Sequence, residues 1–150
     1  MIYMYADGAC SGNGTESARA GWAFTVYADE GESTPIYQEK GRLAGEKQTN
    51  NRAELQAILK ALNYIDSDNS NTEYTIYSDS EMAVKGITGE ASRNANRDIW
   101  ERIESICDNI ITNNKCVIIQ HVKGHADNKR HNYCDSLAVA ASRALLLIPA

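Results

Sequence analysis

The chain has 150 residues, 43% of them hydrophobic and 23% charged, which suits one compact core and leaves little room for a second. With 20 acidic against 15 basic side chains the formal net charge is −5, which excludes a protein that coats nucleic acid by bulk positive charge. No apolar run is longer than the six residues from Met1 to Ala6, and Ala144 to Ile148 has five, far short of the roughly 18 to 20 that span a bilayer. The opening Met1-Ile2-Tyr3-Met4-Tyr5 lacks the basic stretch and small-residue cleavage site of a secretion signal, so a monomeric cytoplasmic protein is expected. Cys10, Cys107, Cys116 and Cys134 are too few and too irregularly spaced for a disulfide framework and are expected as reduced thiols. Without a C-x-x-C pair, any bound metal is expected on oxygen ligands.

Residues 2 to 6 alternate Ile2, Met4 and Ala6 against Tyr3 and Tyr5, and residues 22 to 27 alternate Trp22, Phe24 and Val26 against Ala23, Thr25 and Tyr27; both have the period of a strand. The acidic turn at Asp29-Glu30-Gly31 breaks the pattern before Ile36 to Leu43 resumes it, and a three-stranded antiparallel meander results. From Asn51 the period changes. Leu55, Ile58, Leu62 and Ile65 recur at helical steps, which predicts a helix over about 52–65. A short strand at 74–78, a short helix at 80–87, a helix over about 98–112 and a last strand at 116–122 follow. A final helix is expected from near Tyr133, with Cys134, Ala138, Ala141 and Leu145 inward. This order predicts an α/β fold: a mixed five-stranded sheet, three strands antiparallel and then two parallel, with helices on both faces.

Several acids stand where a regular element does not need them. The first strand is expected to end in Asp7-Gly8 and the fourth in Asp79-Ser80, and sites in open α/β sheets form at the carboxyl ends of strands. Taken singly, Asp-Gly is also a common turn pair, and Asp79 or Ser80 can cap the next helix. Glu54 lies at the edge of the buried helical stripe, or reaches back to Asn51 in a capping box. Asp135 is expected in the first turn of the last helix, where the dipole favours any acid. Together the four would repel one another unless cations were present, and hard divalent cations such as Mg²⁺ remove that penalty.

Asp7-Gly8-Ala9-Cys10-Ser11-Gly12-Asn13, Thr49-Asn50-Asn51-Arg52-Ala53-Glu54-Leu55, Tyr77-Ser78-Asp79-Ser80, Val122-Lys123-Gly124-His125 and Cys134-Asp135-Ser136-Leu137-Ala138 resemble, in order and in register, the type 1 ribonuclease H family. The resemblance runs from residue 2 to about residue 145. It implies the ribonuclease H-like fold and metal-dependent endonucleolytic cleavage of the RNA strand of an RNA/DNA hybrid, leaving a 5′-phosphate and a 3′-hydroxyl. It implies two Mg²⁺ or Mn²⁺ ions held by Asp7, Glu54, Asp79 and Asp135, with His125 as a mobile loop histidine that shuttles a proton or aids product release. By the same resemblance Cys10, Asn13, Asn50 and Asn51 lie along the RNA strand, where 2′-hydroxyls are read across the shallow minor groove. Thr49, Asn96 and Lys47 would grip a phosphate of the DNA strand. Turn and cap chemistry accounts for the same residues without a substrate.

Three departures stand out. The loop from Gly89 to Arg97 is short and lacks the lysine-rich, tryptophan-bearing protrusion with which many relatives hold the hybrid. No N-terminal hybrid-binding module is expected, since Asp7 already lies in the first strand, so the whole chain is read as one catalytic domain. His131 stands where many relatives carry an asparagine, four residues before the last aspartate. The segment Lys123 to His131 is the most basic in the chain, and is read either as a partial substitute for the protrusion or as a solvated loop. Two other functions remain open on the residues alone: a hybrid-binding module that no longer cuts, and a nuclease of the same fold acting on duplex DNA or junctions.

Overall fold

A computed structural model describes residues 1–31, 34–123 and 127–143; His125 and Leu145 lie outside them. Strands β1 (Ile2–Ser11), β2 (Arg19–Tyr27) and β3 (Tyr37–Arg42) form the antiparallel meander. Helix α1 (Asn50–Ser67) leads to β4 (Glu73–Ser78), which pairs parallel with β1. Helices α2 (Glu81–Thr88) and α3 (Arg97–Thr112) lead to β5 (Cys116–His121), parallel to β4, and α4 (Lys129–Ser142) closes the fold. The strand order is β3-β2-β1-β4-β5, the mixed sheet that the sequence predicts.

Alternation divides the central strand between two cores. Ile2, Met4 and Ala6 of β1 join Phe24, Val26, Tyr74 and Ile76 beneath α1 and α3, where Leu55, Ile58, Leu62 and Ile65 are fully buried. Tyr5 of β1 turns to the opposite face, where Ala23, Tyr27, Cys134 and Ala138 pack under α4. Close approach there depends on Gly21: a Cβ at that position would lie 2.7 Å from the Ala138 carbonyl oxygen and 2.8 Å from the carbonyl carbon of Ala141.

Helix α4 begins at Lys129, four residues before the expected start. Its first turn is polar and therefore adds nothing to an apolar period, but Asn128 Oδ1 accepts the His131 N–H at 3.0 Å and caps the helix. Asp135 thus sits in the second turn rather than the first, so the helix dipole does not explain it. At α1 the cap is Thr49, whose Oγ1 accepts the Arg52 N–H at 3.1 Å. Asn51 is already inside the helix, which removes the capping-box reading of Glu54.

Candidate active site

Strand β1 runs on to Ser11 along β2, but its parallel pairing with β4 stops at Tyr5 and Tyr77. Asp7 is therefore not at the end of a strand, as Asp-Gly suggests; it lies in mid-strand opposite Ala23. What ends is its neighbour. Continuing the β1–β4 register by two residues sets Asp7 opposite Asp79, where β4 turns towards α2, and the gap between the two strands is the crevice expected of a parallel pair.

Gly8 ties a helix to this gap. With β4 no longer alongside, its N–H is donated to Asp7 Oδ1 at 3.0 Å and, in a short contact, to Glu54 Oε1 of α1. A Cβ on Gly8 would sit 2.7 Å from the Ala53 carbonyl oxygen and closer still to the Glu54 backbone nitrogen. Only glycine allows α1 this near the sheet, and the approach buries Glu54 to 5% exposure beside Asp7 at 2%. From α4, His131 sets its Nε2 3.2 Å from Asp79 Oδ2. Asp135, one turn further along α4, is exposed and lines the same open cleft of about 540 Å³ as Asp7, Glu54 and Asp79.

The electrostatics are those of crowded anions. Burial, reinforced by the charge of Glu54, pushes the Asp7 carboxyl far above the ordinary carboxylate range. Burial also raises Glu54. Asp79 goes the other way, because His131 donates to it, and the same contact raises His131. Asp7 Oδ2 is buried with no hydrogen-bond partner among the described residues. A buried carboxylate oxygen without a donor, flanked by further carboxylates at the floor of an open cleft, matches the oxygen-rich donor set that hard divalent cations take. Oxygen atoms of Asp7 and Asp79 and a ring nitrogen of His131 lie within 4.8 Å of one another.

The described part of the cleft offers no activated nucleophile. Ser80 Oγ accepts the Ala83 N–H at 3.2 Å as the cap of α2. Cys10 Sγ donates to the Gln48 carbonyl at 3.5 Å, and burial raises its thiol.

The other expected site residues flank this centre. Cys10, Asn50 and Asn51 line the cleft with the acids. Asn13 Oδ1 accepts the Asn50 N–H at 3.1 Å and joins the β1–β2 turn to the start of α1. Asn96 adopts a left-handed φ of 60° as the N-cap residue of α3. Its side chain accepts from Arg52 at 3.3 Å, and Arg52 also forms an ion pair with Asp98. Thr49 and Asn96 are thereby linked through α1, whereas Lys47 is exposed in the loop before it. Sequence reading missed Gly8 as the donor to Glu54, and Arg52 as the brace of Asn96.

The basic segment is partly diverted. Arg130 stacks over the Tyr27 ring at 4.1 Å and donates to the Asp29 carbonyl at 2.5 Å. His131 is 3% exposed and faces Asp79. Neither replaces a surface protrusion. The short loop before α3 is held down by Arg93, which stacks on Trp100 at 4.6 Å and donates to the Gly86 carbonyl at 2.8 Å.

Comparison with known proteins adds to this geometry. The RNase H family model matches residues 1–143. A protein named Ribonuclease H from Cyanothece sp. is 31% identical, over 91% of this chain and 86% of its own length. Among solved structures, LC11-RNase H1 in complex with RNA/DNA hybrid superposes with a TM-score of 0.74 at 21% identity, covering 95% of this chain and 96% of that one. RNase H1 from Halobacterium salinarum does so with a TM-score of 0.71 at 24% identity, covering 93% and 96%.

Proposed function

The chain belongs to the ribonuclease H family and is a ribonuclease H, and from that premise we propose that it hydrolyses the RNA strand of RNA/DNA hybrids by a two-metal-ion mechanism, leaving 5′-phosphate and 3′-hydroxyl ends. The observation that carries the proposal is the meeting of Asp7 of β1, Glu54 of α1, Asp79 just after β4 and Asp135 of α4 in one open cleft. Two Mg²⁺ or Mn²⁺ ions, when bound, supply a water of lowered pKa and charge to stabilise the departing 3′ oxygen.

The four carboxylates hold those ions. Glu54 is steadied by the Gly8 N–H and Asp79 by His131. His125 takes up a proton or aids release of the cut phosphate. Cys10, Asn13, Asn50 and Asn51 follow the RNA strand and meet its 2′-hydroxyls, while Thr49, Asn96 and Lys47 hold a phosphate of the DNA strand, Asn96 braced by Arg52. The chain acts as a single catalytic domain, a monomer of the cytoplasm. No described helix is long and apolar enough to cross a membrane.

The test is a cleavage assay with a hybrid labelled on either strand. The RNA strand is expected to be cut in Mg²⁺ or Mn²⁺, with the DNA strand intact and no cutting after chelation. Equal cutting of duplex DNA or a four-way junction overturns the assignment of substrate. Binding to the hybrid is expected to show a shallow salt slope, because few basic side chains face the cleft. An affinity loss of roughly 10³-fold or more between about 50 and 200 mM salt would contradict that expectation.

A further inference from the structure

His131 lies four residues before Asp135, so the two side chains stand one above the other on the same face of α4. Its position is fixed at both ends: the backbone N–H is held by Asn128 Oδ1 at 3.0 Å, and the ring, 3% exposed, sets Nε2 3.2 Å from Asp79 Oδ2. No described residue bonds to Nδ1, so no neighbour fixes the ring tautomer; Nε2 donates to Asp79 in the metal-free protein, and when the ring carries its single proton on Nδ1 the same nitrogen turns its lone pair towards the acids. The buried Asp7 Oδ2 likewise has no partner among the described residues. In an octahedral shell with bonds of roughly 2.0–2.1 Å, adjacent ligand atoms lie about 3 Å apart. The nitrogen-to-oxygen spacing of 3.2 Å already has that value, and the ligand atoms of Asp7, Asp79 and His131 share a 4.8 Å neighbourhood.

We propose that His131 Nε2 is a ligand of the ion held by Asp7 and Asp79, which makes this position a mixed nitrogen–oxygen site that prefers Mn²⁺ to Mg²⁺. The inference rests on the metal-binding reading of the cleft and deepens it. Mg²⁺ favours oxygen ligands and sheds its water reluctantly. Imidazole suits first-row transition ions, so one nitrogen in a carboxylate shell shifts the balance towards them.

The test uses the full chain without nucleic acid, loaded with Mn²⁺ or Mg²⁺. Pulsed electron paramagnetic resonance of the Mn²⁺ form is expected to show the nitrogen coupling of a coordinated imidazole. His131→Asn keeps a donor for Asp79 but removes that nitrogen, so the coupling is expected to vanish. By calorimetry, Mn²⁺ affinity should fall by about 10-fold or more, with Mg²⁺ affinity changed by less than about 3-fold. A wild-type spectrum without nitrogen coupling overturns the proposal with no variant needed. Coupling that persists in His131→Asn, or equal losses for both ions, overturns it as well and leaves His131 as a hydrogen-bond donor to Asp79. Mn²⁺ binding without nitrogen coupling leaves the carboxylate site standing; failure of either ion to bind removes both readings.

Discussion

Asp7→Asn is expected to reduce hybrid cleavage by about 10³-fold or more and, in the same protein, to raise the melting temperature of the metal-free form. The first effect follows from losing a buried carboxylate that faces the cleft. The second follows from the sign of its titration. Burial and Glu54 raise the folded-state pKa of Asp7 well above its unfolded value, and burial raises that of Glu54 to about 8. For an acid raised on folding, stability is complete below the unfolded pKa of about 4 and declines as pH rises towards the folded value. His131, raised by Asp79, adds a loss in the same direction above about pH 6.5. Asp79 is lowered, so its contribution is present above about pH 4 and disappears only in acid. The metal-free protein should therefore melt at a higher temperature near pH 5.5 than near pH 8.5, and Asp7→Asn should narrow the gap, at about 2–4 °C per kcal/mol for a chain of this length. Thermal melts in chelator at the two pH values decide it. A wild-type protein more stable at the alkaline value would show that the acids are not crowded in solution.

Gly8→Ala is expected to cost about 3 kcal/mol or more, on the order of 10 °C in melting temperature. The added methyl meets backbone rather than a side chain that can swing away: the Ala53 carbonyl oxygen at 2.7 Å and the Glu54 nitrogen nearer still. Relief requires α1 to move off the sheet, which also withdraws Glu54 from the Gly8 N–H. Stability and divalent-ion affinity should therefore fall together. Thermal melts beside Mg²⁺ calorimetry test the pair, and a variant that melts within a degree or two of the parent would show that α1 has slack against β1.

The elements with strong apolar periods were legible in the chain. The stripe from Leu55 to Ile65 predicts α1, the alternation from Ile2 to Ala6 predicts β1, and the mixed character of the sheet follows from where helices separate strands, whereas the order β3-β2-β1-β4-β5 comes from the structure. The sites of error share one cause, which is that polar residues carry no period. The first turn of α4 reads as loop because Lys129 to Asn132 have no apolar stripe, although Asn128 caps it. Asp7-Gly8 reads as a turn because the pair is common there, while in the fold the glycine is needed by α1, more than forty residues along the chain. His131 draws notice as an exchanged residue in a loop, but its contact with Asp79 depends on where α4 lies against the sheet, which local spacing does not encode. The positions of the four acids are expected from the motifs; the unequal protonation that burial imposes on them is a property of the assembled cleft.

The cleft takes Asp7 from the first strand and Asp135 from the last helix, so it does not exist in any nascent chain that still lacks α4. A nascent product halted before Lys129 leaves the Asp79 side chain without its imidazole neighbour, so the complete cation site forms only once α4 has docked on the sheet. Divalent cations bound there would then favour only those molecules in which β1 and α4 have already come together.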